Sequence, residues 1–172
     1  MSRNVADALV IFGITGDLAH KKILPSLYAM ERRSALQLPV VGIARNEMAA
    51  DELRERIKEG VESFGEGACD DAVLDRLCAR LSYVTGDYSD VDSFRRLRTA
   101  LGDAAHPLHY LAIPPSMFTT VTRNLEAGGC ARGASVVVEK PFGRDLDSAV
   151  ALNGALHDVF PEDHIYRIDH YL

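Results

Sequence analysis

Apolar residues along this chain fall into two kinds of stretch, and the two kinds alternate. Short unbroken runs end at glycine, proline or charge, and between them lie longer stretches where apolar residues recur every three or four positions. The first short run, Ala8-Leu9-Val10-Ile11-Phe12, stops at Gly13 and suits a strand buried on both faces. Further strands are predicted over 39–44, 81–84, 108–113 (stopped by Pro114-Pro115) and 135–139, with one more from His164 through Ile165, Tyr166 and Arg167. The valines at 136, 137 and 138 make the fifth the clearest, because β-branched side chains pack well on a pleated sheet.

The longer stretches predict helices. One covers 17–34, with Leu18, Ile23, Leu24, Leu27 and Met30 on its inward face and Pro25 tightening or bending its opening turns. Leu53, Ile57 and Val61 recur at four-residue spacing and predict a helix over 50–64. Others are predicted over 70–80, from the turn at Asp87-Tyr88-Ser89-Asp90 to about 101, over 116–126 with Ser116 as cap, and over 145–159. Strand and helix alternate throughout, which predicts an α/β fold of the Rossmann-like, doubly wound kind: a mainly parallel sheet with helices on both faces. No repeat or linker divides 1–172, so the chain reads as one domain with a genuine core.

Composition narrows the picture. The chain is 47% hydrophobic and 26% charged, as in globular proteins, and no apolar run approaches the roughly 18 residues of a spanning helix. The N-terminal segment is too polar before its apolar run to read as a secretory signal. Three cysteines (Cys69, Cys78, Cys130) without Cys-x-x-Cys spacing predict neither a disulfide framework nor a metal site, and fit a reducing cytoplasm. Cys78 falls at a position expected to be buried. A formal net charge of −6 argues against nucleic acid, though not against an anionic cofactor held by local groups.

Chemistry is concentrated where strands end. Gly13-Ile14-Thr15-Gly16-Asp17-Leu18-Ala19 joins the first strand to the first helix as a relative of the dinucleotide fingerprint. Gly13 permits the tight turn, Gly16 lets backbone N–H groups approach a pyrophosphate, and the helix N-terminus adds its positive end. The second strand ends in Ala44-Arg45-Asn46, where NAD sites usually carry an acid for the ribose 2′-hydroxyl. A guanidinium can instead hold a 2′-phosphate in a bidentate contact, which favours NADP+. Glu47, two positions on, leaves strict selectivity open.

The sequence resembles the coenzyme-binding N-terminal domain of the glucose-6-phosphate dehydrogenase family. The resemblance rests on four segments in family order. Ile11 to Lys22 is similar to its Gly-x-x-Gly-Asp-Leu-Ala stretch with following basic residues, and Val138-Glu139-Lys140-Pro141-Phe142-Gly143 to its Glu-Lys-Pro-Phe-Gly segment. Tyr166-Arg167-Ile168-Asp169-His170-Tyr171-Leu172 resembles its Arg-Ile-Asp-His-Tyr-Leu signature, and Pro114-Pro115-Ser116 a further landmark.

The resemblance implies oxidation of glucose 6-phosphate to the lactone with NADP+. Gly13, Thr15, Gly16, Asp17 and Leu18 would cradle the phosphates, Arg45 would hold the 2′-phosphate, and Asp87 with Tyr88 would border the adenosine. Lys140 would lie beside nicotinamide and sugar, followed by a cis peptide before Pro141. Lys22, Lys140, His170 and Tyr171 would face the substrate, and Asp169 would orient a catalytic histidine. That histidine belongs to a C-terminal substrate domain, which on this reading the chain lacks. The isolated chain is then expected to be inactive, and the full-length form a homo-oligomer without nucleic-acid or membrane partners. Two alternatives stand beside it: another NAD(P)-dependent sugar or polyol oxidoreductase, and a stand-alone NADP-binding module without catalysis. His20, His106, His109, His157 and His164 receive no role.

Overall fold

Each predicted apolar run becomes a strand in the computed structural model, which describes residues 5–142 and 145–169. The strands are β1 (Ala8–Phe12), β2 (Val40–Ala44), β3 (Leu81–Thr85), β4 (Pro107–Leu111), β5 (Ser135–Glu139) and β6 (Ile165–Ile168). They form one sheet in the order β3-β2-β1-β4-β5-β6, and every neighbouring pair is parallel. This is the doubly wound order whose direction reverses at β1. Pro107 is tolerated because it opens its strand, where a missing N–H costs the ladder least. Ala112 and Ile113, expected in the fourth strand, lie beyond its end.

Six α-helices pack on the sheet: α1 (Leu24–Arg32), α2 (Ala50–Phe64), α3 (Asp71–Arg80), α4 (Val91–Leu101), α5 (Phe118–Ala127) and α6 (Leu146–His157). On one face, Val10, Phe12, Ile43, Val136 and Val138 pack against Phe94 and Leu97 of α4, Val121 and Leu125 of α5, and Leu152 and Leu156 of α6. On the other, Ile11, Val40 and Ala44 pack against Leu24 and Leu27 of α1, Leu53 and Ile57 of α2, and Leu74 and Leu77 of α3. Alternation along the strands aims Leu108 and Tyr110 of β4, Val137 and Glu139 of β5, and Tyr166 and Ile168 of β6 towards this second face. Among the described residues no helix covers it there, and Tyr166 is 48% exposed.

The first helix begins at Asp17 as expected, but Ala19–Ile23 is a wide π turn, in which the Leu24 N–H reaches back to the Ala19 carbonyl, and α1 resumes the regular turn at Leu24. Pro25 accounts for this. It has no N–H for the carbonyl of residue 21, and its ring would clash with that carbonyl in a regular turn. The buried positions of α1 are Leu24, Pro25, Leu27, Tyr28 and Glu31, whereas Met30, expected inward, is 41% exposed. Glu31 is tolerated inside because Arg80 and Arg76 of α3 approach its two oxygens at 2.8 and 3.3 Å. Among the cysteines Cys130 is the buried one and Cys78 only half-buried.

Candidate functional site

Where the strand order reverses, between β1 and β4, a cleft of about 350 Å³ opens at the carboxyl ends of the strands. Its walls are Gly16, Asp17 and Leu18 after β1, the segment from Leu111 to Pro115 after β4, and Glu139, Lys140 and Pro141 at the end of β5.

The loop after β1 is built around Gly13. Its φ is +78°, and a Cβ there would lie 2.4 Å from the Ala112 carbonyl oxygen, so only glycine fits. The Gly13 N–H donates to the Ile43 carbonyl (3.0 Å) and to the Tyr88 hydroxyl (2.8 Å), and that hydroxyl donates in turn to Ile43 (3.0 Å). Tyr88 is only 8% exposed and its hydroxyl is pushed up to about 12 by burial. It therefore ties the ends of β1 and β2 together from beneath. The loop then closes through Gly16 N–H to the Gly13 carbonyl (2.8 Å) and His20 N–H to the Gly16 carbonyl (3.0 Å). The positive end of the helix dipole at this loop suits an anion.

Arg45 stands just past β2 with 68% of its side chain exposed, and its Nη2 lies 3.3 Å from an oxygen of Asp87. The Asp87 carboxyl is held below the usual carboxylate range, chiefly by the N–H and hydroxyl of Ser89, with Arg45 adding its charge. Asp17 is likewise held low by Lys21, whose ammonium is 3.1 Å away.

Across the cleft the Lys140–Pro141 peptide is cis. The Lys140 ammonium donates to Asp169 at 2.7 Å, and its backbone N–H donates to the Ile168 carbonyl (3.2 Å), so the ends of β5 and β6 are joined twice. Glu139 accepts a hydrogen bond from the Tyr110 hydroxyl, whose pKa burial and the neighbouring carboxylate raise. Lys22 sits elsewhere, in the π turn at the mouth of an apolar groove between α1 and the uncovered part of the sheet, with Tyr110 and Ile168 among its neighbours. His170 and Tyr171 lie outside the described residues.

The structure thus places Gly13, Thr15 and Gly16 in the turn after β1 and Asp17 and Leu18 at the helix start that follows, pairs Arg45 with Asp87, and pairs Lys140 with Asp169. Arg56 went unread. From α2 its Nη2 donates to the carbonyls of Thr15 (2.6 Å) and Gly16 (3.3 Å). In the sequence it is one charge among many on an amphipathic helix, and its only hint is Gly60 one turn later on the same face. A loop with inward carbonyls, a positive-φ glycine and an arginine at the second strand end fits a dinucleotide carrying a 2′-phosphate.

The sequence model described as "Glucose-6-phosphate dehydrogenase, NAD binding domain" matches residues 10–172. A glucose-6-phosphate 1-dehydrogenase of Mycobacterium tuberculosis is 45% identical over 168 residues, which cover 97% of this chain and 35% of that protein. The Caenorhabditis elegans enzyme is 38% identical over 176 residues, 95% of this chain and 33% of that one. Among solved structures, glucose-6-phosphate 1-dehydrogenase from Mycobacterium avium superposes with a TM-score of 0.91 at 46% identity, over 96% of this chain and 36% of that one. A glucose-6-phosphate dehydrogenase in complex with its substrate superposes at 0.85 and 34% identity, over 99% of this chain and 38% of that one. The chain spans about a third of the length of the curated relatives it matches. Sequence, sheet order and cleft agree, and the chain belongs to the glucose-6-phosphate dehydrogenase family, of which it represents the nucleotide-binding domain.

Proposed function

We propose that this chain is the coenzyme-binding part of an NADP+-dependent glucose-6-phosphate dehydrogenase. The observation that carries the proposal is the cleft that has the loop after β1 on one side and Lys140, paired with Asp169, on the other. In this reading Gly13, Thr15, Gly16, Asp17 and Leu18 surround the cofactor phosphates, and Arg45 exchanges Asp87 for the 2′-phosphate. Tyr88 holds the loop from below, which leaves Asp87 to border the adenosine.

NADP+ held by this loop would supply the hydride acceptor for oxidation at the sugar's anomeric carbon. Lys140, half-exposed at the cleft, orients the reacting hydroxyl. Asp169 orients the histidine that takes the hydroxyl proton, a residue supplied by the part of the family's length this chain does not span. Histidine suits that role because its pKa lies near neutrality. Lys22, His170 and Tyr171 complete the substrate side. The chain alone binds cofactor without turnover, and the full-length protein works in the cytoplasm as a homo-oligomer.

Calorimetric titration of the chain with NADP+ and with NAD+ tests the cofactor assignment. Tighter binding of NADP+ is the expected result. Equal affinities would remove the role of Arg45, and binding of neither by the folded chain would overturn the loop assignment.

A further inference from the structure

We infer that Arg56 is a positioning residue for cofactor binding: from α2 it clamps the carbonyls of Thr15 and Gly16, and so aims the Asp17 N–H at the pyrophosphate. The inference rests on the dinucleotide reading above.

Three observations carry it. The first is the fork itself, Nη2 at 2.6 Å from the Thr15 oxygen and 3.3 Å from the Gly16 oxygen. In a trans peptide C=O and N–H point in opposite directions, so a carbonyl drawn towards α2 turns the next amide away from it. The Gly16 carbonyl, held also by the His20 N–H, thereby presents the Asp17 N–H on the far side, towards the cleft that Asp17 lines.

The second is how α2 comes close enough. A Cβ at Gly60 would lie 2.6 Å from the His20 carbonyl oxygen, so glycine lets α2 press against the turn that follows the loop. Arg56 stands one helical turn before Gly60 on that same side, where its fork reaches the loop.

The third is electrostatic. Arg56 Nε is buried and finds no acceptor among the described residues, so the guanidinium is held by the loop carbonyls and sits partly out of water. A cation so placed acts through little solvent. Its charge is felt at the Asp17 carboxyl, where it adds to the larger effect of Lys21. Field and amide orientation both favour an anion at the loop, and neither depends on the 2′-phosphate.

That independence gives the test. Wild type, Arg56→Gln and Arg56→Lys are titrated calorimetrically with NADP+, NAD+ and 2′-AMP, which carries a 2′-phosphate and no pyrophosphate. Losing a charge-assisted clamp should weaken NADP+ and NAD+ by the same factor, about tenfold, and leave 2′-AMP unchanged. Arg56→Lys keeps the charge without the fork and should fall between, which also decides the matter if Arg56→Gln does not fold. Dinucleotide affinities within about twofold of wild type, or an equal loss for 2′-AMP, would overturn the inference. If the wild-type chain binds none of the three, the dinucleotide reading fails by itself, and amide hydrogen exchange decides the clamp. The Gly16 and His20 amides, which donate within the loop, should then exchange about tenfold faster in Arg56→Gln with α2 unaffected, and unchanged exchange in the loop would sink the idea.

Discussion

Over β1, β2 and β3 the sheet carries helices on both faces, whereas over β4, β5 and β6 the described residues place helices on one face only. The first half also carries the loop after β1 with Tyr88 bracing it from beneath and Arg56 from behind, while Ala112, just past β4, crowds Gly13 from the second half. The second half carries Lys140 and Asp169 at the rim of the uncovered face, paired with each other and half-exposed. The difference separates two tasks. On the function proposed above, holding a dinucleotide's phosphates would need a loop braced within this domain, whereas presenting Lys140 and Asp169 to a sugar would need only an open surface.

The largest expected effect sets the covered and the uncovered half of one face against each other. Leu74→Ala, which empties a fully buried site on α3, should cost about 3 kcal/mol in chemical denaturation. Tyr166→Ala, on the uncovered face, should cost under about 1 kcal/mol. Equal losses would break the comparison.

A comparable effect sharpens it, because the covered face of the second half is dry. His109 on β4 is fully buried, and burial pushes its pKa down to about 4, with Arg98 acting in the same direction and the hydrogen bond to the Cys130 carbonyl opposing. It therefore stays neutral in the folded chain while the unfolded chain protonates near its ordinary 6.5. Stability from this group is complete above pH 6.5 and falls as pH drops towards about 4, by about 3 kcal/mol in total. His109→Gln keeps the hydrogen bond to Cys130 and should flatten that part of the profile. Parallel profiles for variant and wild type would show that His109 is not the group responsible.

Smaller changes address ligand binding. Arg45→Ala should weaken NADP+ roughly tenfold or more in calorimetry and leave NAD+ unchanged. Asp87→Asn releases Arg45 from its carboxylate partner and should tighten NADP+ by a few-fold. The smallest effect is expected in the second half, where Asp169→Asn should alter stability by less than about 1 kcal/mol and leave dinucleotide affinity alone. A large loss of NADP+ affinity there would join the two tasks that the structure separates.

Much of this was legible in the residues. Unbroken apolar runs marked β1, β2 and β5, since burial on two faces leaves little room for polar alternation, whereas β3, β4 and β6 were marked by shorter runs interrupted at Ser82, His109 and Arg167. The loop at Gly13 and the Lys140–Pro141 segment were visible because their chemistry is written in consecutive residues. What escaped depends on distant partners. Glu31 read as a surface charge until Arg76 and Arg80 arrived from α3, and Met30 was misplaced because Pro25 widens the turn before α1. Tyr88 read as a residue at the adenosine, and its place under Gly13 follows from the packing of β1 on β2.

The strand order also sets a timetable. β1 is central, yet its partner on one side, β4, pairs Ala8 with Pro107 and is made much later in the chain. A ribosome adding roughly 5–20 residues each second leaves that edge of β1 waiting for on the order of ten seconds. During this interval β1, β2 and β3 can join and take α1, α2 and α3 over one face. The nucleotide loop would then acquire its Arg56 brace before the opposite wall of the cleft has been synthesised. Limited proteolysis of ribosome-bound chains stalled after β3 and after β5 should find β1 protected in both, and a β1 that is cleaved after β3 but protected after β5 would show that its packing waits for β4.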